Sequence, residues 1–186
     1  MTTPQFILDL RAHIGHSPLW VPGCTAVVLR AHEGEEETEV LVVRRSDTGA
    51  WTPVTGIVDP GEAPATAAVR EVLEEADVVA SPRRLVSVDV VGPVVYDNGD
   101  VSSYLDTAFS LDWVSGEPRP ADGENTEARF VRVSQLPPMN ERFRRVIARA
   151  LSDEVAAAFE ASPSGGTGGH GQGWVQGDGE PRPAGL

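Results

Sequence analysis

The sequence predicts an α/β domain, and three observations carry that expectation. Short apolar runs rich in Val and Leu recur at residues 24–31, 40–45, 85–91, 103–113 and 128–133, the pattern of buried or half-buried strands. Two longer stretches, beginning near residues 64 and 140, instead repeat their apolar residues every three or four positions, as helices do. A chain of 186 residues, 40% hydrophobic, is long enough to close these elements around one core.

Taken in order, residues 4–15 (PQFILDLRAHIG) read as a short amphipathic helix with Phe6, Ile7, Leu10 and Ile14 on one side. Thr3 is placed to cap it and Gly15 to end it. His13 and His16 follow; they are metal ligands or, more ordinarily, surface and capping groups. Leu19 and Trp20 come next as a packing or contact point. The strand at 24–31 is followed by an acidic stretch, 33–39, that reads as a solvated hairpin loop, and then by the strand at 40–45. Arg44 and Arg45 end that strand on opposite faces, so at most one of them faces a site; a surface ion pair is the alternative.

A turn containing Pro60-Gly61 precedes the first long helix. Pro64 suits the first helical position, where its missing N–H costs nothing. Ala65, Ala68, Val69, Val72, Leu73 and Ala76 form one apolar face, and Glu71, Glu74 and Glu75 are expected on the opposite one. Such crowding is costly. Glu71 neighbours both other carboxylates, each like-charge pair costs about 0.2–0.5 kcal/mol on a bare helix, and the cluster sits near the end where the macrodipole disfavours anions. Three carboxylates so placed read as a site for a hard divalent cation such as Mg²⁺, with a solvated acidic face as the plainer alternative.

Residues 85–91 and 103–113 flank a hairpin marked by Asn98-Gly99. Tyr96 and Tyr104 there are cross-strand partners or a stacking surface for a base. A polar loop, 114–127, leads to the strand at 128–133, and residues 136–140 (LPPMN) open a helix expected to run to about Phe159, with Met139, Phe143, Val146, Ile147 and Ala150 as its apolar stripe. Asn140 is suited to cap it. From Ser162 the chain turns rich in Gly and Pro without periodicity, the composition of a flexible tail, within which Trp174-Val175 could act as a tether.

The stretch Gly56–Val78 resembles the Nudix box, G-x5-E-x7-R-E-U-x-E-E-x-G-U with U a bulky aliphatic residue. Gly56, Glu62, Arg70, Glu71, Val72, Glu74, Glu75 and Val78 stand at the family's spacing; the second Gly is Asp77, which tolerates a left-handed helix end better than most residues. The resemblance spans roughly residues 24–158 and implies an α/β/α sandwich with a mixed β-sheet; with the N-terminal helix and the tail read above, the expected organisation is an N-terminal helical extension (1–22), a Nudix hydrolase-like domain (23–160) and a flexible tail (161–186). It implies that Glu62 and Arg70 pair to fix loop against helix, with Gly56 as structural support, and that Glu71, Glu74, Glu75 and the Thr55 carbonyl hold Mg²⁺, with Mn²⁺ as a substitute. It further implies a loop glutamate near the metal site; Glu124, six positions before Phe130, fits best, with Asp122 and Glu127 as competitors. In MutT-type members the Asn of the Pro-Pro-x-Asn-Glu string contacts the base, a second role for Asn140 beside the cap.

The implied reaction is hydrolysis of a nucleoside diphosphate linked to another group, with water attacking phosphorus and Glu71 or Glu124 taking its proton. Arg44 or Arg45 would assist phosphate binding. A modified nucleoside triphosphate is the expected substrate, with ADP-ribose or a nucleotide-sugar as the rival and a non-catalytic nucleotide-sensing module as the alternative class. Net charge is −13, from 15 basic and 28 acidic residues, which argues against non-specific binding to nucleic acid or anionic membrane; with no second domain or basic groove read in the sequence, capped RNA is the less expected substrate. The single cysteine, Cys24, excludes an internal disulfide and a cysteine zinc cluster, and reads as a buried thiol. Residues 1–20 lack a signal-peptide pattern and no run reaches membrane-span length, so a cytoplasmic location is expected. A homodimer through the N-terminal helix and Trp20 is compatible with the sequence.

Overall fold

The computed structural model describes residues 3–31 and 37–159. It forms one mixed, eight-stranded sheet with a helix on each face. The elements in order are α1 (Gln5–Ile14), β1 (Leu19–Arg30), β2 (Glu39–Arg45), β3 (Trp51–Thr52), β4 (Val54–Ile57), α2 (Pro64–Ala76), β5 (Val79–Val95), β6 (Val101–Ser115), β7 (Asn125–Arg132), α3 (Glu141–Leu151) and β8 (Ala158–Phe159). A single 3-10 turn, Val133–Gln135, joins β7 to α3. The sheet order is β3-β2-β1-β6-β5-β8, with β4 also paired to β1 and β7 to β2. β1 runs parallel to β6 and antiparallel to β4, so the sheet is mixed.

Strand alternation builds the two layers. On β1, Cys24, Ala26 and Val28 face α2, where they meet Ala68, Val72 and Ala76, together with Leu41 and Val43 of β2. The intervening Val27 and Leu29 face α3 and pack with Val40, Val42, Val146, Ile147 and Ala150. Each of these fully buried Val and Leu side chains contributes about 1.5–3 kcal/mol of transfer free energy, which is why the central runs of both strands read as unbroken hydrophobic sequence. α1 packs separately, Ile7 meeting Val21 and Ile57 with Phe6, Leu19 and Tyr104 around them. Leu10 and Ile14 of its expected stripe stay exposed.

Several elements differ from expectation for identifiable reasons. The buried side of α2 carries Ala67, Ala68, Val72, Glu75 and Ala76, whereas Leu73 is 48% exposed. The helix is thus rotated from the face drawn through Leu73, and Glu75 lies on the buried side. α3 ends at Leu151, short of Phe159, because the Arg84 guanidinium from β5 donates to the carbonyls of Arg149 and Ser152 and satisfies the helix end there. Ala158–Phe159 then pairs parallel to β5 at Ser87–Val88 as a strand. β5 starts at Val79, before the run at 85–91; its pairing with β6 shifts register around Pro82–Arg84, which hides the alternation. α1 is preceded by Pro4 with no side-chain cap, so Thr3 does not cap it, while Gly15 does end it, at φ 58°. Residues 33–36 of the acidic stretch, the tail and Trp174-Val175 lie outside the described residues.

Candidate metal and substrate site

α2 ends in the left-handed cap that its sequence requires. Asp77 takes φ 55°, ψ 35°, donates its N–H to the Leu73 carbonyl, and its carboxylate accepts from Arg119 Nε at 2.8 Å. Replacement of the expected glycine by Asp therefore leaves the helix end intact.

Arg70 is the centre of the polar network on α2. Its Nε and Nη2 donate to the two oxygens of Glu62, both at 3.0 Å, a two-pronged bond that ties the loop ahead of α2 to the helix. Glu62 Oε2 also accepts from the Asp59 N–H, and Arg70 Nη2 reaches the Ile57 carbonyl. The third nitrogen, Nη1, bridges Glu71 Oε1 at 2.9 Å and Glu74 Oε2 at 3.0 Å. The carboxylate cluster is thus less bare than the sequence suggests, since a cation one position away serves two of its members.

Glu71 lies against Gly56. A Cβ on Gly56 would stand 2.2–2.3 Å from Glu71 Cδ, Cγ and Oε1, so only glycine leaves room for this carboxylate over β4. Thr55, the preceding residue, pairs with Thr25 of β1. Burial pushes Glu71 up to about 7, with the Glu74 and Glu124 charges adding and Arg70 opposing. Glu75 is 5% exposed and accepts from Asn125 Nδ2 at 2.7 Å. Burial pushes it up to about 8; the Asn125 bond opposes, and the charges of Glu71, Glu124 and Asp122 add. Two buried carboxyls that resist ionisation, with three more acids in electrostatic reach, lack positive charge.

A cavity of about 310 Å³ is lined by Pro4, Ile57, Asp59, Arg70, Glu71, Glu74, Asp122 and Glu124. Glu124 comes from the loop ahead of β7, whose place is fixed by the Ser46 N–H and hydroxyl donating to its carbonyl and by Asp122 Oδ1 accepting from its N–H. Of its two competitors, Asp122 also lines the cavity, whereas Glu127 pairs with Arg44 at 3.0 Å. Arg44 and Arg45 diverge. Arg44 bonds Gly49 and Glu127, while half-buried Arg45 holds Asp47 and lies within electrostatic reach of Glu75 and Glu124. Asn140 accepts from the Arg142 N–H at 2.9 Å and caps α3. His13 bonds the Asp9 carbonyl and His16 bonds Asp100, and Tyr96 and Tyr104 bond each other through their hydroxyls.

The donor set suits a hard divalent ion: oxygen only, partly desolvated, and short of positive charge. Among the described residues, however, no three carboxylates, imidazoles or thiols are gathered about one point. Arg70 Nη1 engages Glu71 Oε1 and Glu74 Oε2, and Asn125 engages Glu75 Oε2, so one oxygen of each α2 carboxylate is bonded within the protein. Coordination through those same oxygens would require Glu71 and Glu74 to give up Arg70 Nη1. Two features escaped the sequence. One is Asn125, a lone amide at a strand start. The other is a buried group on the α3 side, where Asp106 pairs with Arg142 at 2.6 Å and accepts from Thr25 at 2.9 Å.

The family model described as "NUDIX domain" matches residues 22–151. The chain is 29% identical over 144 residues to an NAD-capped RNA hydrolase, NudC, of Vibrio cholerae, covering 76% of this chain and 48% of that protein. It therefore spans about half the length of the curated NAD-capped RNA hydrolases it matches. A candidate 8-oxo-dGTP diphosphatase of Bacillus subtilis is 40% identical over 57 residues, 31% of this chain and 35% of that one. In fold, the chain is similar to the NUDIX domain of Shewanella oneidensis NrtR in complex with ADP ribose, with TM-score 0.55, 18% identity, and coverage of 81% and 97%.

Proposed function

The chain belongs to the NUDIX domain family, and from that membership we propose that it is a divalent-metal-dependent hydrolase of a nucleoside diphosphate linked to a further group, a nucleoside triphosphate in the first instance. The observation that carries the proposal is a cavity where Arg70, Glu71 and Glu74 of α2 meet Asp122 and Glu124 of a distant loop. Glu71, Glu74 and Glu75, with the Thr55 carbonyl, would hold Mg²⁺, or Mn²⁺ in its place. The bound ion would neutralise diphosphate oxygens and acidify the attacking water.

The chain's own groups would do the rest. Water attacks phosphorus, the new P–O bond replaces a bridging P–O bond, the water's proton goes to Glu124, and pyrophosphate leaves from a triphosphate. Glu124 suits proton acceptance because it reaches the cavity from a different element than the α2 carboxylates. Glu71 is the other candidate, although Arg70 and Gly56 already hold it in place. Arg45, on the strand end nearest Glu75 and Glu124, would steady the substrate's outer phosphate. Acceleration would come mainly from positioning and electrostatics, as phosphoryl transfer asks little covalent chemistry of the protein.

A dinucleotide substrate is the second reading, favoured by the 29% identity to NAD-capped RNA hydrolases over 76% of the chain. Product analysis decides between them. Purified protein with Mg²⁺ is given 8-oxo-dGTP, dGTP, ADP-ribose, NAD⁺ and a UDP-sugar, with Glu75→Gln as control. Nucleoside monophosphate and pyrophosphate from a triphosphate, lost in Glu75→Gln, are expected. AMP from ADP-ribose or NAD⁺ moves the substrate and keeps the site. Mg²⁺-dependent binding without turnover of any compound would replace the hydrolase by a sensing module.

A further inference from the structure

Asn125 opens β7 and is 5% exposed. Its side chain crosses to α2, fifty residues earlier in the chain, where Nδ2 donates to Glu75 Oε2 at 2.7 Å. In the ionised form that would hold a metal a carboxylate only accepts, which matches the amide nitrogen, not its oxygen, facing Glu75. With Oε2 engaged, Oε1 is the oxygen left over, and the carboxylate plane is pinned.

The post that carries Asn125 is rigid. The Arg119 N–H donates to the Ala76 carbonyl at 3.0 Å and the Ala121 N–H to the Glu75 carbonyl at 3.3 Å, so the loop is stitched to the last turn of α2. At its far end the Ser46 N–H and hydroxyl hold the Glu124 carbonyl at 2.9 and 2.7 Å. There the β2–β7 register slips, Arg44 opposing Glu127 but Arg45 opposing Asn125, and the extra residue lies between the two pairs. One short segment thus brings both the Glu124 carboxylate to the cavity and the Asn125 amide to Glu75.

We propose that Asn125 is a positioning residue for the metal site: it orients Glu75 so that a single oxygen, Oε1, is presented to a divalent ion. This rests on the metal-dependent reading above. Asn125 touches neither substrate nor reacting atoms; it acts through Glu75, as partners that orient metal-ligating carboxylates do.

The test is Mn²⁺ titration of the full chain by calorimetry without nucleotide, beside the half-saturating Mg²⁺ concentration for turnover. Asn125→Leu keeps the branched shape, at a larger volume, and removes the donor. Affinity for Mn²⁺ is expected to fall roughly 10- to 100-fold, with the Mg²⁺ requirement rising in parallel and KM for nucleotide at saturating Mg²⁺ unchanged. In a Glu75→Gln background, Asn125→Leu should weaken Mn²⁺ binding no further, because the two residues act as one unit. Asn125→Ala serves should Asn125→Leu fail to fold. Wild-type Mn²⁺ affinity in both variants, with Glu75→Gln weakened, overturns the role of Asn125 and leaves the metal reading standing. A wild-type chain that binds no Mn²⁺ overturns both. An equal loss from Asn125→Leu in the Glu75→Gln background also refutes the proposal, as Asn125 would then act elsewhere.

Discussion

Gly56→Ala isolates the placement of Glu71 from every other property of the site. Gly56 lies in β4 with ordinary strand dihedrals, so alanine meets no backbone penalty there. The whole effect is the new methyl group, which would stand 2.2–2.3 Å from three atoms of Glu71. Ordinary contact is well over 3 Å, so the Glu71 side chain must retreat by roughly 1 Å. Glu71 borders the cavity, so its side chain has room to shift and the fold can absorb this at the low end of overpacking, about 1 kcal/mol. For a chain of this size that lowers Tm by about 2–4 °C.

The functional effect should be far larger. A displacement of about 1 Å in a reacting constellation can lower the rate on the order of 100-fold. Turnover of the best substrate from the product panel, followed by pyrophosphate or AMP release, should show that fall in kcat. Far-UV circular dichroism should stay unchanged. A Gly56→Ala protein with kcat within about threefold of wild type and the same Mg²⁺ requirement would refute the reasoning. The contact between Gly56 and Glu71 would then be packing without consequence for chemistry.

Asn140→Ala should lose about 1 kcal/mol in urea unfolding through the α3 cap, while Asn140→Asp, which keeps an acceptor, should lose less; a selective loss of affinity for one base would add a recognition role. Asp47 is held down at about 2 by the hydrogen bonds from Arg45. Its folded value lies below the usual 3.8, so its contribution is present above pH 3.8 and lost as pH falls toward 2. Because Asp47 is half exposed, Asp47→Asn should cost under about 1 kcal/mol at pH 7, and urea titrations should show the difference vanish near pH 2. Cys24 is 1% exposed and burial pushes its thiol up to about 12; a disulfide reagent at pH 8 should label it only at the rate of unfolding.

What could be read from the sequence was local, and what could not was long-range. The start of α2 was legible because Pro64 and the spacing of Ala68, Val72 and Ala76 act within one helix. The layers were legible because the central runs 26–29 of β1 and 40–43 of β2 are apolar, which both-face burial requires. The burial of Glu75 was not, because it depends on Asn125 arriving from β7, and a single Asn ahead of a strand carries no signal of that reach. The end of α3 was illegible for the same reason: the group that closes it, Arg84, stands 65 residues before Arg149. The two roles of Arg70 show the boundary well. Its spacing to Glu62 belongs to the box pattern, but the turn of Nη1 toward Glu71 and Glu74 is a matter of side-chain conformation.

That division of Arg70 bears on how a chain of net charge −13 could handle a polyanion. Two of its nitrogens, Nε and Nη2, are committed to Glu62 and hold the loop on the helix. Only Nη1 neutralises Glu71 and Glu74. Those two bonds can therefore be exchanged for a divalent ion without loosening the pair that fixes the loop. On the proposed metal-dependent reading, burial would favour the exchange, since a desolvated carboxylate such as Glu71 would gain more from a double charge than from half a shared guanidinium. In this arrangement the guanidinium offsets the repulsion between Glu71 and Glu74, and the same residue would keep the loop in place if an ion took over Nη1's two partners. Losing Arg70 would remove both functions together, whereas losing Glu62 would free the loop and leave Nη1 on the carboxylates. Glu62→Gln and Arg70→Ala should therefore differ in metal-free stability, with Arg70→Ala the less stable in thermal denaturation at low salt, where repulsion between Glu71 and Glu74 is least screened.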